Sequence, residues 1–121
     1  MAGRRGRVAL VTDAVAAAGA ARNGPYTLGG VELDIRDGAV RGPDGQLAGS
    51  LLTMDEAVRN LHALGVPLED SLAAATAVPA GVIGAADAGR IEIGLPADLV
   101  VLDDNLAVDR VLLAGDSLVA A

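Results

Sequence analysis

The residues able to do chemistry in this sequence are few, and most are acidic. There is no cysteine, so no thiolate nucleophile, disulfide or sulfur-ligated metal can form. His62 is the single histidine, so no cluster of imidazoles can gather a metal. All 9 basic residues are arginines, which excludes Schiff-base lysine chemistry and the lysine of a P-loop. The 16 carboxylates are the most numerous ionisable groups, and a carboxylate can carry a proton. Asp13 stands at the end of the apolar run Arg7 to Thr12 (RVALVT). One carboxylate with no histidine beside it has too few ligand atoms for a zinc site. A strand-end Asp also serves to cap the turn that follows it. Residue type alone leaves both uses of Asp13 open.

The elements around Asp13 follow from hydrophobic period and turn chemistry. RVALVT is continuously apolar and rich in β-branched residues, which suits a strand buried on both faces of a parallel sheet. Ala14 to Ala21 is Ala-rich, but Gly19 and the stretch Arg22 to Pro25 favour a loop. Tyr26 to Leu28 reads as a short strand. Val31, Leu33 and Ile35 alternate with polar residues at the period of a half-buried strand. Asp37-Gly38 is a hairpin turn returning through Ala39 to Arg41, and Pro43-Asp44-Gly45 is a second turn before Leu47 to Ser50. Thr53 and Glu56 have the spacing of a capping box. The helix they open carries Met54, Ala57, Val58, Leu61 and Leu64 on one face and stops at Gly65. Pro67 starts a second helix through Leu68, Leu72 and Ala75. Val78-Pro79 interrupts it, and a short helical turn runs on to Ile83. Arg90 to Ile93, Asp98 to Leu102, Val108 to Leu113 and Ser117 to Val119 read as short strands. A module boundary is expected near residues 85 to 89.

A chain of 121 residues has room for one domain and a core. Its 52% hydrophobic and 21% charged residues exclude a disordered tail. Aromatic residues are 1%, Tyr26 alone, which offers no stacking platform for nucleic-acid bases. A net charge of −7 offers no footprint for a phosphate backbone, so no nucleic-acid partner is expected. No run approaches the roughly 20 apolar residues of a membrane span. The basic start, Met1 to Arg7, lacks the long apolar region of a signal peptide. A soluble, cytoplasmic protein with no membrane partner is expected. RVALVT requires parallel neighbours reached by crossovers, and no other buried parallel strand precedes the helices. The chain is therefore expected to be the rear part of a larger α/β protein.

LVTDA (Leu10 to Ala14), LAGS with LTM (Leu47 to Met54), AVRN (Ala57 to Asn60) and GRIEIGLPADLVVLD (Gly89 to Asp103) occur in this order. Together they resemble the C-terminal portion of the N-acetylglucosamine-6-phosphate deacetylase family, within the amidohydrolase superfamily. The tail identifies the superfamily, and the earlier motifs narrow it. The resemblance implies an α/β fold: the C-terminal fragment of a (β/α)8 metal-dependent hydrolase barrel plus part of its small β-sandwich. Residues 1–84 would hold the last barrel strand, a β-hairpin insertion and the following helices. Residues 85–121 would be the C-terminal strands of the composite β-sandwich. The resemblance makes Asp13 the catalytic acid/base, taking a proton from a metal-bound water and delivering one to the departing amine. It makes Leu47, Ala48 and Gly49 a substrate-binding segment for the sugar phosphate, with Ala48 in place of the commoner Ser. A turn that uses a small residue for close packing accounts for the same segment.

In the full-length family enzyme the resemblance implies a divalent metal, zinc or similar, held by earlier residues, with no metal ligand in this chain. It also implies a homodimer and a sugar-phosphate substrate, hydrolysed to glucosamine-6-phosphate and acetate. The segment is expected to be inactive alone. Two other readings stay open: a non-enzymatic partner that completes or binds an amidohydrolase barrel in trans, and a standalone binding domain. Arg59 and Asn60 read as a solvated helix face, and His62 as a surface or interface residue.

Overall fold

The computed structural model describes residues 8–19, 26–36 and 39–118. The chain divides into two units, Val11–Met54 and the pair of segments Met1–Leu10 with Asp55–Ala121.

In the first unit four short strands form an antiparallel meander: β1 (Tyr26–Leu28), β2 (Val31–Arg36), β3 (Ala39–Arg41) and β4 (Leu47–Ser50). The period-2 alternation in β2 does what it must. Leu33 is buried and Ile35 packs on the same cluster, while Glu32 and Asp34 face outward. The core gathers Ala17, Leu33, Val40 and Leu51, with Val15, Tyr26 and Ala48 packed against it. The expected Asp37-Gly38 turn lies outside the described residues, but its flanking strands pair with Arg36 opposite Ala39. The Pro43-Asp44-Gly45 turn is closed by Gly45 N–H on the Gly42 carbonyl at 2.9 Å.

Val8 to Thr12, the described part of RVALVT, does not form the expected strand. Arg7 lies outside the described residues, and Val8 to Thr12 joins no sheet; Val11 is 77% exposed. A parallel strand gives up its edge groups only to a neighbour, and none of the described strands runs beside this segment. Just past its end, Ala14 forms an isolated parallel bridge with Ser50.

In the second unit, α1 (Met54–Ala63) starts directly after Thr53, at the unit's edge, and buries Ala57 and Val58. Its apolar stripe is narrower than the sequence spacing suggests. Leu64 falls past the last helical residue and is 83% exposed, and Met54 is exposed as well. α2 (Leu68–Ala75) follows Pro67. Its buried Ser71 hydroxyl is satisfied, donating to the Pro67 carbonyl at 3.1 Å. The break to α3 (Ala77–Ile83) falls at Thr76, not at Val78-Pro79. Pro79 sits in the first turn of α3, where no backbone N–H is needed and proline is tolerated.

Gly89 packs against α3. A β-carbon there would lie 2.7 Å from the Ala80 Cβ and 2.9 Å from the Thr76 carbonyl oxygen. Arg90 to Ile93, expected as a strand, forms a bend and turn, with Ile93 fully exposed. Its alternation is strand-like, but no described strand lies alongside to take the ladder bonds.

The remaining three strands, β5 (Leu99–Leu102), β6 (Val108–Leu113) and β7 (Asp116–Leu118), form an antiparallel sheet. Val119, expected to end the last strand, lies outside the described residues. Val100, Val111 and Leu118 share one face by register, and Val100 and Leu118 are exposed on it. Two aspartates fasten the turns of this sheet. Asp98 Oδ1 accepts the Ala114 N–H at 2.7 Å. Asp103 Oδ1 accepts the N–H groups of Asn105 and Ala107, each at 2.8 Å.

Candidate functional site

Asp13 occupies an unusual backbone position. Its φ is 51°, in the left-handed region that a side chain with a Cβ disfavours. Such a conformation persists only where the surroundings hold it. Here the end of β4 holds it. Ser50 N–H donates to the Asp13 carbonyl at 2.9 Å, and Val15 N–H donates to the Ser50 carbonyl at 3.1 Å. The Ser50 hydroxyl donates to the Thr12 carbonyl at 2.5 Å and accepts the Leu52 N–H at 3.1 Å. The Asp13 side chain itself is exposed.

The structure thus brings together two expected site segments that are far apart in sequence. Leu47, Ala48 and Gly49 form the strand that runs up to the Asp13 backbone. Gly49 is buried with φ 131°, and a β-carbon there would lie 2.5 Å from Val15 Cγ1 and 3.0 Å from the Asp13 carbonyl oxygen. Only a glycine lets β4 approach so closely. Ala48 turns its methyl to the core, and Leu47 is exposed. The Ala48 side chain is thus taken up by packing. Ser50 is the residue that sequence reading passed over. It stands inside the LAGS motif, but its partner Thr12 is 38 residues away, and no local pattern announces that pairing.

Arg59 and His62 have structural partners. Arg59 is not a solvated group on the helix face. Its Nη1 donates to the Asp55 carboxylate and to the Leu106 carbonyl, each at 2.7 Å, and so ties α1 to the β5–β6 turn. Asn60 is exposed. His62 lies on the surface with Nδ1 2.8 Å from the Val66 carbonyl oxygen. Arg59, His62, Leu68 and Leu106 line a shallow cleft that contains none of the expected site residues. The Asp103 carboxyl is held below its ordinary value, first by the Ala107 N–H, which outweighs an opposing effect of desolvation, and then by Asn105 and the nearby Arg59 charge.

Among the described residues no group of three or more His, Cys, Asp or Glu is placed to hold a metal ion. Among the described residues the donors do not make up a metal site, and Asp13 by itself supplies one carboxylate. Among the described residues no helix is long and apolar enough to cross a membrane.

Known proteins align with both halves of this arrangement. The chain is 35% identical over 111 residues to N-acetylglucosamine-6-phosphate deacetylase of Vibrio furnissii, covering 90% of this chain and 28% of that protein. It is 40% identical over 111 residues to a putative N-acetylgalactosamine-6-phosphate deacetylase of Escherichia coli, covering 90% of this chain and 66% of that one. The crystal structure of N-acetylglucosamine-6-phosphate deacetylase from Pasteurella multocida superposes with a TM-score of 0.87 at 32% identity, over 95% of this chain and 31% of that chain. The chain thus spans under a third of the Vibrio and Pasteurella proteins. The pattern of the amidohydrolase family matches residues 7–118, nearly the whole chain from the run before Asp13 to the end of β7, and the chain belongs to that family.

Proposed function

We propose that this chain is the C-terminal part of a (β/α)8-barrel amidohydrolase that removes the acetyl group from an amino-sugar 6-phosphate. N-acetylglucosamine-6-phosphate is the first substrate, giving glucosamine-6-phosphate and acetate. The observation that carries the reading is the seat of Asp13. An exposed carboxylate is held at a left-handed backbone position by Ser50, beside the segment Leu47 to Gly49. The names of the aligned relatives supply the substrate class.

Amide hydrolysis needs a proton moved twice. The Asp13 carboxylate takes a proton from the attacking water as its oxygen bonds to the acetyl carbon. The resulting carboxylic acid then gives that proton to the amide nitrogen, the C–N bond breaks, and the free amine leaves. An unprotonated amide nitrogen is a poor leaving group, so one carboxylate in both roles is enough for the proton balance. Backbone groups of Leu47 to Gly49 would contact the sugar phosphate, since the Ala48 methyl is spent on packing. A divalent metal such as zinc is proposed for the complete enzyme, with ligands outside the described residues. The complete protein is proposed to be a cytoplasmic homodimer, with residues 85–121 contributing strands to a composite β-sandwich.

The test is a chimera. Residues 7–121 are grafted onto the first seven strands of a related deacetylase and assayed for acetate release with added zinc. Asp13→Asn is expected to lower turnover by about 10² to 10⁴-fold, the usual contribution of a general acid/base. A folded chimera whose turnover ignores Asp13 removes the assignment. The E. coli relative is named for the galactosamine epimer. A preference for that epimer would keep the mechanism and change the substrate.

A further inference from the structure

We propose that Ser50 is a positioning residue for Asp13, acting through the backbone on either side of it. The inference rests on reading Asp13 as the proton carrier, and adds a residue to that site. Two peptide planes meet at residue 13. One contains the Thr12 carbonyl and the other the Asp13 carbonyl. Ser50 holds both: its hydroxyl donates to Thr12 O at 2.5 Å and its N–H to Asp13 O at 2.9 Å. Fixing both planes fixes φ and ψ between them, and so the direction of the Asp13 Cα–Cβ bond. With one plane released, the N–Cα–Cβ group turns about the Cα–C bond, and a left-handed residue has reason to turn.

The two bonds differ in what they ask of the sequence. Any non-proline residue at position 50 keeps the N–H bond to Asp13. Only a hydroxyl keeps the bond to Thr12 while accepting the Leu52 N–H at 3.1 Å. Gly49 complements it by letting the strand come close enough, with no room for a β-carbon. Ser50 is half-buried and touches no reacting atom in this scheme, so its effect passes through Asp13.

The test has two arms. In the 121-residue chain, Ser50→Ala is expected to speed amide exchange at Leu52 and Val15 by about 10-fold or more, and Ser50→Thr to leave it near the original rate. Unchanged exchange in Ser50→Ala overturns the clamp whatever the enzyme does. In the chimera, Ser50→Ala is expected to lower kcat by about 10 to 100-fold with KM nearly constant, the scale of a misplaced reacting group. Ser50→Thr should restore kcat. In the Asp13→Asn background, Ser50→Ala should cost nothing further, which a merely structural residue would not obey. If Asp13→Asn lowers kcat and Ser50→Ala does not, the positioning role is wrong and the catalytic reading stands. If Asp13→Asn has no effect, the catalytic reading falls, and the role of Ser50 falls with it.

Discussion

Replacing Gly49 by alanine tests the close approach on which the site depends. The glycine has φ 131°, and an added Cβ would lie 2.5 Å from Val15 Cγ1 and 3.0 Å from the Asp13 carbonyl. Two costs follow. A backbone conformation avoided by side-chain-bearing residues costs about 1–3 kcal/mol. Forcing a methyl into a filled space costs about 1–3 kcal/mol more. The backbones of Val15 and Asp13 are both held by bonds to Ser50, so neither main chain can simply move aside. The sum, about 2–6 kcal/mol, is a large part of the roughly 5–15 kcal/mol that stabilises an ordinary domain. Gly45 is the control. It also has positive φ, 77°, but nothing lies within 4 Å of its added Cβ. Gly45→Ala should therefore cost about 1–2 kcal/mol, the conformational part alone. The assay is urea unfolding followed by Tyr26 fluorescence. Tyr26 is the single aromatic residue and packs on the core of the same unit. With an m-value of about 1–3 kcal/mol/M, Gly49→Ala should lower the midpoint by about 1–2 M more than Gly45→Ala. Equal midpoints for the two variants would refute the close approach of β4 to Asp13.

Gly89→Ala should destabilise the helical unit by about 2–6 kcal/mol, the same two costs together. The residue has φ 82°, and its Cβ would meet Ala80 and the Thr76 carbonyl under 3.0 Å. Thermal unfolding followed by helical circular dichroism measures it, and an unchanged midpoint would contradict the packing. Asp103 should give the β5–β6 turn an acid sensitivity. Its folded carboxyl is held below its ordinary value, so the stabilisation is complete above the unfolded value of about 4 and is lost as pH falls through the lower folded one. Amide exchange at Asn105 and Ala107 should accelerate over that acid range; protection that persists well below it would show that the carboxylate does not fasten the turn.

Local signals were legible because they act locally. Pro43-Asp44-Gly45 turns, Gly65 follows α1 and Pro67 precedes α2, all within a few residues of the chemistry that causes them. Thr76 was missed because proline is a breaker only in a helix interior, and the break three residues earlier moves Pro79 into a first turn. RVALVT and Arg90 to Ile93 misled for a shared reason. An apolar or alternating run says which faces want burial, but strand formation also needs a neighbour, and periodicity says nothing about the neighbour. Asp13 and the LAGS segment were visible as residue types in a known order. That they meet, and that Ser50 joins them, depends on a pairing across 38 positions that only the folded chain displays.

The distribution of the carboxylates gives the site its meaning. The tail motif that identifies the superfamily carries two aspartates, and both are committed to structure. Asp98 accepts Ala114 N–H, and Asp103 accepts Asn105 and Ala107 N–H. Asp55 is bound to Arg59, and Glu92 to Arg90. A carboxylate stabilised by donors loses proton affinity, as Asp103 does, and becomes a poorer proton carrier. At Asp13 the hydrogen bonds go to the backbone, and the side chain faces solvent. The fold fixes the backbone from which the proposed proton carrier projects and leaves its carboxylate open to solvent. Changes at Asp98 and Asp103 are therefore expected to act on stability, and changes at Asp13 and its seat on the chemical step.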